Sequence, residues 1–246
     1  MNAPAYIELN LPYGFNAIVK GNLNTRNSRN YTYNSAIIGD GKGSLGRSKR
    51  EEYSYKNYTF QQQLTWAGEF GNHAVDALIG HENYSNEYNY LYGYKTNEIM
   101  PGWGNFTNFT SITSLDGSDY EYKTASYLGR VRYNYADRYN VEASIRRDGS
   151  SRFHKDSRWG TFWSLGANWI ISNEEFMKEY KFVNYLKLRA DYGEVGNDAG
   201  AGYYAYQALY TMEQNANKGA LYLTQFPNKN LKWETGQSWG IGVEAR

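Results

Sequence analysis

The chain has 246 residues, with 26 Lys and Arg against 25 Asp and Glu, no cysteine, 26 tyrosines, 25 glycines and only four prolines. No run of about 18 apolar residues is present, so the sequence has no transmembrane helix. The high aromatic content at near-zero net charge excludes a disordered chain. The balance of basic and acidic residues disfavours nucleic-acid binding. The lack of cysteine excludes disulfides and thiolate metal sites within the chain. A soluble all-β protein and a membrane β-barrel remain. The mean hydropathy of −0.78 is compatible with a barrel, because only alternate residues of a barrel strand meet lipid.

The first ten residues do not have the pattern of a secretion signal. They contain neither a basic region nor an apolar core. We therefore expect either a cytoplasmic protein or a chain that starts within a longer one.

Nine segments alternate between apolar and polar residues and are bounded by Gly, Asn and Asp, as β-strands are. They average about 12 residues, whereas strands of soluble proteins average 5 to 6 and a tilted membrane-spanning strand needs about 9 to 11. Their length therefore favours a membrane barrel. In chain order the predicted strands are residues 4–10, 14–25, 54–67, 73–84, 121–135, 139–149, 159–171, 185–194 and 231–246.

The connections between these segments sort by length. In an up-and-down sheet alternate connections lie at the same end, so one end carries about 3, 5, 3 and 13 residues and the other about 28, 36, 9 and 36. Outer-membrane barrels have short periplasmic turns and long extracellular loops. The sorting thus indicates such a barrel, because a soluble meander has no reason to separate its loops in this way.

One short-end connection has a helix signal. Ser172 and Asn173 precede Glu174 and Glu175, which offers an N-cap followed by acidic first-turn residues. We predict a short helix in this periplasmic connection.

The later strands separate apolar from charged positions. One face has 19 positions without a charge, and eight of the 17 opposite positions are charged. A Lys or Arg at the midplane of a barrel's lipid face costs about 2 to 4 kcal/mol, which explains a charge-free outer face. A soluble sandwich would show the same alternation with its apolar face inward.

Side chains around the turn at residues 136–138 fit the same interpretation. Tyr133, Tyr135 and Tyr139 flank this turn, as expected for an aromatic girdle at the membrane surface. If the turn is centred on Asp137, Arg132 lies opposite Glu142 on the polar face.

Two predicted long loops are rich in aromatic residues. Tyrosine and tryptophan provide rigid, amphipathic contact area, and binding residues concentrate on loops held by a scaffold. The rings could contact a ligand or pack on one another, and both interpretations can hold together. The candidates are Tyr90, Tyr92, Tyr94 and Trp103 in or beside the first loop, and Tyr203, Tyr204 and Tyr206 in the second.

Other motifs carry little chemistry. Asp116, Asp119 and Glu121 offer oxygen ligands that could hold calcium in a loop, or simply form a solvated loop. Residues 41–46 match G-x-G-x-x-G without the following helix that a nucleotide site needs, so we interpret them as a flexible loop. The residues nominate no catalytic arrangement, and we expect neither an enzyme nor a bound cofactor.

Five segments stand in a characteristic order in the second half of the chain: YNVEASIRRDGSSRF at 139–153, WGTF at 159–162 with Ser164, ISNEEFM at 171–177, LKLRA at 186–190 with Tyr192, Gly193, Gly196 and Asn197, and LKWET at 231–235 with GIG at 240–242. In this order they resemble the SusC/RagA-like TonB-linked outer-membrane transporters of Bacteroidetes. The resemblance is dense from about residue 121 to the end and looser before.

The resemblance implies a 22-stranded barrel closed by a plug in the outer membrane. Such proteins import glycans or peptides with a SusD-like surface lipoprotein and draw energy from the TonB complex. The predicted fold is all-β: an antiparallel up-and-down transmembrane barrel, present as a partial barrel of about nine strands with long extracellular loops. Plug, TonB box and last strands are lacking, so residues 1–246 are expected to be part of a barrel domain.

In this interpretation the aromatic loops touch substrate or partner, and charged side chains face the lumen or plug. Two alternatives stay open: a complete small outer-membrane barrel acting as an adhesin or structural protein, and a soluble β-sandwich that binds carbohydrate. The lumen-facing candidates are Arg130, Arg132, Glu142, Arg146, Arg189 and Asp191.

Overall fold

A computed structural model describes residues 1–180, 182–216 and 218–246, and almost all of its regular structure is β-sheet. The strands are β1 (Asn2–Asn10), β2 (Phe15–Asn34), β3 (Arg47–Phe70), β4 (His73–Glu98), β5 (Phe109–Tyr135), β6 (Tyr139–Ser150), β7 (Trp159–Ile170), β8 (Leu186–Asn197), β9 (Leu209–Asn215), β10 (Lys218–Gln225) and β11 (Glu234–Ala245). Short 3-10 helices occupy Pro12–Gly14, Gly39–Ser44, Phe106–Asn108, Ile171–Asn173 and Glu175–Met177. In these described stretches no helix has the length and apolar character needed to cross a membrane.

Nine strands form one sheet in which neighbours along the chain are neighbours in space. The order is β1-β2-β3-β4-β5-β6-β7-β8-β11, and β9 and β10 form a separate two-stranded hairpin. The pairs from β5 to β8, and β8 with β11, are antiparallel. Within the described residues β1 and β11 are the two ends of an open sheet. The predicted antiparallel up-and-down sheet of about nine strands, a partial barrel, is confirmed.

The chain divides into two compact units. The first comprises residues 1–4, 22–58 and 85–121, and the second comprises residues 5–21, 59–84 and 122–246. Strands β1 to β5 contribute residues to both. Each side-chain cluster described below lies within a single unit.

Three of the four connections at one end are short, as predicted, but the fourth is longer than most at the other end, and the first two long loops are wrong in length. One end has residues 11–14, 71–72, 136–138 and 171–185, and the other has residues 35–46, 99–108, 151–158 and 198–233. The predicted loops of about 28 and 36 residues are largely strand, because β2 to β5 continue to lengths of 20 to 27 residues. Tyrosine pairs support these extensions, as where the Tyr55 and Tyr88 ring centroids lie 4.8 Å apart.

The predicted short helix after β7 is present only as two separate 3-10 helices of three residues each. These are Ile171–Asn173 and Glu175–Met177, and neither has a side-chain cap. Glu174 has an extended backbone between them, with φ −76° and ψ 149°. Its carboxylate accepts hydrogen bonds from other side chains and not from the backbone of a helix, as described below.

The second unit has the two-faced sheet that the sequence predicts. Val131 pairs with Ala143, and Ala143 pairs with Leu165, so the apolar positions of adjacent strands are in register. These side chains are not covered: Leu165 is 48% exposed and Ile241 is 73% exposed. Over the described residues the buried hydrophobic side chains are only Phe109, Phe153 and Phe162. A sheet with one open apolar face and so small a core is typical of a protein that places that face against something else.

Candidate functional site

The charged face of the second unit brings most of the predicted lumen-facing residues together. Arg132 pairs with Glu142 across β5 and β6, as predicted. However, the Arg132 side chain makes its ion pair with Asp76 of β4, at 2.9 Å from Nε to Oδ1. Arg130 approaches the same Asp76 oxygen at 3.8 Å. Sequence reasoning missed Asp76, because only the pairing of β4 with β5 shows that it faces these two arginines.

A cavity of about 820 Å³ opens on this face. Basic and acidic groups alternate around it, so it carries no strong excess of either sign. Such a surface retains water and can hydrogen-bond polar solutes. Its charged lining residues include Asp76, Arg132, Glu142, Lys187, Arg189 and Asp191.

Two glycines of β11 make room for charged side chains of β8. A Cβ at Gly242 would lie 2.8 Å from Arg189 Nε, and a Cβ at Gly240 would lie 3.0 Å from Asp191 Oδ1. Gly242 pairs with Arg189, and Gly240 pairs with Asp191. Both charged side chains can therefore lie over the neighbouring strand on the polar face.

Arg146 belongs to a second cavity on the same side of β5 to β8. Its Nε donates to both Asp148 oxygens, at 2.7 and 2.9 Å, and its Nη2 donates to Ser126 Oγ at 3.1 Å. The cavity measures about 600 Å³, and Ser144 and Trp233 also line it. It combines hydroxyl groups, an ion pair and an aromatic surface, the mixture that recognises polar organic solutes.

The first predicted aromatic set lies in the first unit and is largely on a strand. Tyr90, Tyr92 and Tyr94 belong to β4, not to a loop. The Tyr90 ring lies 4.9 Å from that of Tyr53 and stacks on Tyr92 at 6.3 Å and 15°. Lys49 Nζ lies 5.2 Å from the centroid of Tyr94. The rings thus pack on one another, one of the two predicted roles.

Trp103 is the member of this set that lies in a connection. It is 44% exposed and lines a cavity of about 610 Å³ together with Tyr92, Leu91 and Leu115. Also at this cavity, the Arg50 guanidinium lies 5.2 Å from each of the Tyr31 and Phe106 rings. Sequence analysis did not identify Arg50, because the aromatic rings that flank it are distant in the chain.

The second predicted aromatic set lies in the second unit, in the connection that follows β8. Tyr203, Tyr204 and Tyr206 are all half-buried. Tyr203 packs edge-on against Tyr122, with ring centroids 6.3 Å apart, and Tyr206 packs against His154 at 5.8 Å. This set therefore packs against both β5 and the β6–β7 connection.

The three carboxylates proposed for calcium do not lie in a loop. Asp116, Asp119 and Glu121 all belong to β5. Asp116 Oδ1 accepts a hydrogen bond from the Gly117 amide at 2.8 Å. Across the described residues the structure gathers no group of three or more His, Cys, Asp or Glu side chains suited to a metal ion.

The sequence matches one family along nearly its whole length. The family model described as TonB dependent receptor-like, beta-barrel matches residues 5–245. This chain belongs to the TonB-dependent receptor β-barrel family. The matched range includes both sets of predicted site residues and all of the nine-stranded sheet except the first three residues of β1.

The sequence relatives of this TonB-dependent receptor barrel chain include SusC. It is 31% identical to the TonB-dependent receptor SusC of Bacteroides thetaiotaomicron over 78% of this chain and 20% of SusC. It is 30% identical to a TonB-dependent receptor of Formosa agariphila over 97% of this chain and 23% of that receptor. The chain therefore spans about a fifth to a quarter of the relatives it matches.

Solved structures agree on the fold. A structure of the RagAB peptide transporter superposes with a TM-score of 0.91 at 22% identity, over 99% of this chain and 28% of that chain. The RagAB peptide importer in its 'closed-closed' state gives a TM-score of 0.86 at 23% identity, over 99% of this chain and 27% of that one. The SusC/RagA-like resemblance of the sequence is thus confirmed.

At the short-turn end of this TonB-dependent receptor barrel chain, Glu174 joins two connections. The residue is 7% exposed, and its carboxylate accepts hydrogen bonds from Tyr139 Oη at 2.5 Å, Arg138 Nη1 at 2.8 Å and Trp169 Nε1 at 2.9 Å. The hydrogen bonds from Tyr139 and then Arg138 lower the pKa of Glu174 below the ordinary 4.5. The ISNEEFM segment thus supplies an acceptor that holds the turn between β5 and β6.

Proposed function

We propose that this chain forms part of the barrel wall of an outer-membrane transporter. The transporter imports glycans or peptides with a SusD-like surface lipoprotein, and the TonB complex of the inner membrane supplies the energy. The observation that carries this proposal is the separation of two faces on the same strands. Arg132 and Glu142 lie on one face, while Val131 and Ala143 lie on the other in matching register.

The two faces suit different surroundings. The apolar face of the second unit is exposed and would contact outer-membrane lipid at its charge-free central positions, where a charged side chain is costly. The opposite face holds the 820 Å³ and 600 Å³ cavities, with their ion pairs and hydroxyl groups. Water and polar solutes would therefore pass along the face that carries Arg132, Arg146 and Asp191.

The groups that line these cavities suit two classes of substrate, glycans and peptides. Hydroxyl and charged groups hydrogen-bond sugars and peptides alike, and aromatic rings pack on either. The RagAB structures are those of a peptide transporter, whereas the sequence relatives are receptors such as SusC. We propose import of one of these classes of oligomer, with no enzymatic step.

Two further observations weigh against the alternatives. A soluble β-sandwich needs two packed sheets, whereas the nine long strands form one sheet. A small closed barrel needs its end strands to pair, and within the described residues β1 and β11 are at opposite ends of the sheet order. The family match adds to the transporter proposal.

Uptake by whole cells tests this proposal. Wild-type cells and cells without the gene are incubated with labelled oligosaccharides and, separately, with labelled oligopeptides, with and without a protonophore. We expect the deletion to abolish uptake of one class, and the protonophore to abolish it in wild-type cells. If the deletion strain takes up both classes at the wild-type rate, import by this protein is refuted.

Purification tests the proposed partner. The protein is extracted from its host in a mild detergent and its associated proteins are identified by mass spectrometry. We expect a protein with a lipidated N-terminal cysteine in a fixed ratio to the transporter. Elution of the transporter alone from several mild detergents would contradict the proposed lipoprotein partner.

A further inference from the structure

Two arginines of the segment 147–153 (RDGSSRF) have different surroundings. The Arg147 guanidinium lies over the Trp159 ring, 5.4 Å from its centroid. The Arg152 guanidinium instead reaches the connection after β8: its Nη1 donates to the carbonyl oxygens of Asp198 at 3.0 Å, Ala199 at 3.2 Å and Ala201 at 2.6 Å. One side chain therefore fixes three peptide groups of a segment that lies almost fifty residues away in the chain.

The Arg152 guanidinium also lies over two aromatic rings. Its carbon lies 4.7 Å from the centroid of Tyr122 and 5.1 Å from that of Tyr203. A planar, delocalised cation suits a position over aromatic rings, and its terminal nitrogen Nη1 is the donor to all three carbonyl oxygens. A lysine ammonium at the same place could not reproduce both sets of contacts.

A second contact holds the start of the same connection. Asp198 Oδ2 accepts hydrogen bonds from Tyr122 Oη at 2.8 Å and from Ser150 Oγ at 2.6 Å. Ser150 is buried, with 1% of its surface exposed. Asp198 is thus held through its carboxylate by β5 and β6, and through its carbonyl oxygen by Arg152.

The base of this contact is rigid. Phe153, which follows Arg152, is 1% exposed and packs on Trp233, with ring centroids 5.6 Å apart. Trp233 Nε1 donates to the Arg158 carbonyl oxygen at 2.7 Å. Tyr122 and Trp233, which belong to this arrangement, both line the 600 Å³ cavity described above.

We propose that Arg152 is the positioning residue of the aromatic connection, residues 198–206. By holding Asp198, Ala199 and Ala201, and by packing on Tyr203, it presents the tyrosines of this connection in one arrangement next to the cavity. Their role in binding an oligomeric solute rests on the transport function proposed above. The clamp itself, defined as Arg152, Tyr122, Ser150 and Asp198, is a property of the fold.

Hydrogen exchange tests the clamp without any substrate. In the connection, the amides of Ala201, Ala205 and Gln207 donate to the carbonyl oxygens of Asp198, Gly202 and Tyr204. In the protein purified from its host, we expect Arg152→Lys to accelerate exchange of these amides about tenfold or more, because several hydrogen bonds to a charged group are lost. Arg147→Lys, from the same segment, serves as the matched control and is expected to leave the three amides at the wild-type rate.

A second variant keeps the test sharp if Arg152→Lys assembles poorly. Tyr122→Phe removes the hydrogen bond to Asp198 and retains the ring against Arg152. We expect a smaller acceleration of the same amides and unchanged exchange in the ladder between β8 and β11. Wild-type exchange rates in both Arg152→Lys and Tyr122→Phe would overturn the proposal.

Uptake kinetics then test positioning apart from transport. With whichever labelled oligomer wild-type cells import, we expect Arg152→Lys to raise KM several-fold with little change in the maximal rate, and Arg147→Lys to change neither. Faster exchange with an unchanged KM would overturn the role in presenting the tyrosines. If wild-type cells import neither class of oligomer, the transport proposal fails, while accelerated exchange would still establish the clamp.

Discussion

The Arg138 guanidinium donates to Glu174 Oε2 at 2.8 Å, joining the turn between β5 and β6 to the connection between β7 and β8. The same carboxylate accepts hydrogen bonds from Tyr139 and Trp169. Tyr139 and Trp169 also stack on each other, with ring centroids 6.1 Å apart and an interplanar angle of 13°. One acidic side chain therefore organises an aromatic cluster at the short-turn end of the sheet.

This arrangement predicts acid sensitivity. The pKa of Glu174 is lowered in the folded protein, so its stabilising contribution is complete above the ordinary pKa of 4.5 and is lost as the pH falls through the lowered value. We expect Glu174→Gln to lower the thermal midpoint at neutral pH and to show a smaller further loss on acidification than wild type. Thermal unfolding in detergent at neutral and acidic pH measures both. Equal acid-dependent losses in the two proteins would show that Glu174 does not contribute.

Adding a charge at one position of β5 should cost more stability than removing a charge at the next position. Val131 lies midway between Tyr127 and Tyr135 on the apolar face, so we expect Val131→Arg to cost about 2 to 4 kcal/mol. Arg132→Ala should cost less than about 1 kcal/mol, because its ion pair with Asp76 is half-exposed to solvent. Urea unfolding in lipid vesicles gives both free energies. Similar costs for the two substitutions would contradict the assignment of the faces.

Gly196 should tolerate no side chain. An added Cβ would lie 2.1 Å from Phe162 Cζ, and Phe162 is among the few buried apolar residues. We expect Gly196→Ala to cost about 1 to 3 kcal/mol through overpacking. Gly236→Ala is the control, because its added Cβ has no atom nearer than 3.8 Å, and it should change the free energy of unfolding by less than about 0.5 kcal/mol. If both variants unfold alike, the packing of Phe162 against β8 is not as described.

The sequence predicts the strands of the second unit well, for a physical reason. Where one face meets lipid and the other meets water, side-chain polarity must alternate, as at Ala143 and Ser144. The parts of β2 to β5 that belong to the first unit lack this constraint. The tyrosine-rich region around Tyr90 was therefore predicted as a loop, although it is part of β4. The hairpin of β9 and β10 was missed for the same reason.

Contacts between residues distant in the chain were the other part that the sequence did not reveal. Arg132 was correctly placed opposite Glu142, yet its ion pair is with Asp76, more than fifty residues away. The same holds for Arg152 and Asp198: Arg152 lies in a segment that resembles the family and Asp198 directly follows another, but only the fold joins them. The predicted helix near Ser172 is broken into two 3-10 helices, and the Glu174 carboxylate between them accepts hydrogen bonds from side chains of the neighbouring turn.

Single cysteines along β6 test most directly that the two faces meet different solvents. The chain has no cysteine of its own, so each substitution introduces one thiol into it for a spin label, in the protein as its host produces it, reconstituted in lipid. With Asn140, Glu142 and Ser144 replaced in turn, we expect labels that collide with a water-soluble nickel complex. With Val141, Ala143 and Ile145 replaced, we expect labels that collide with oxygen dissolved in lipid. Accessibility that does not alternate between these two sets would refute a lipid-facing and a water-facing side for this sheet.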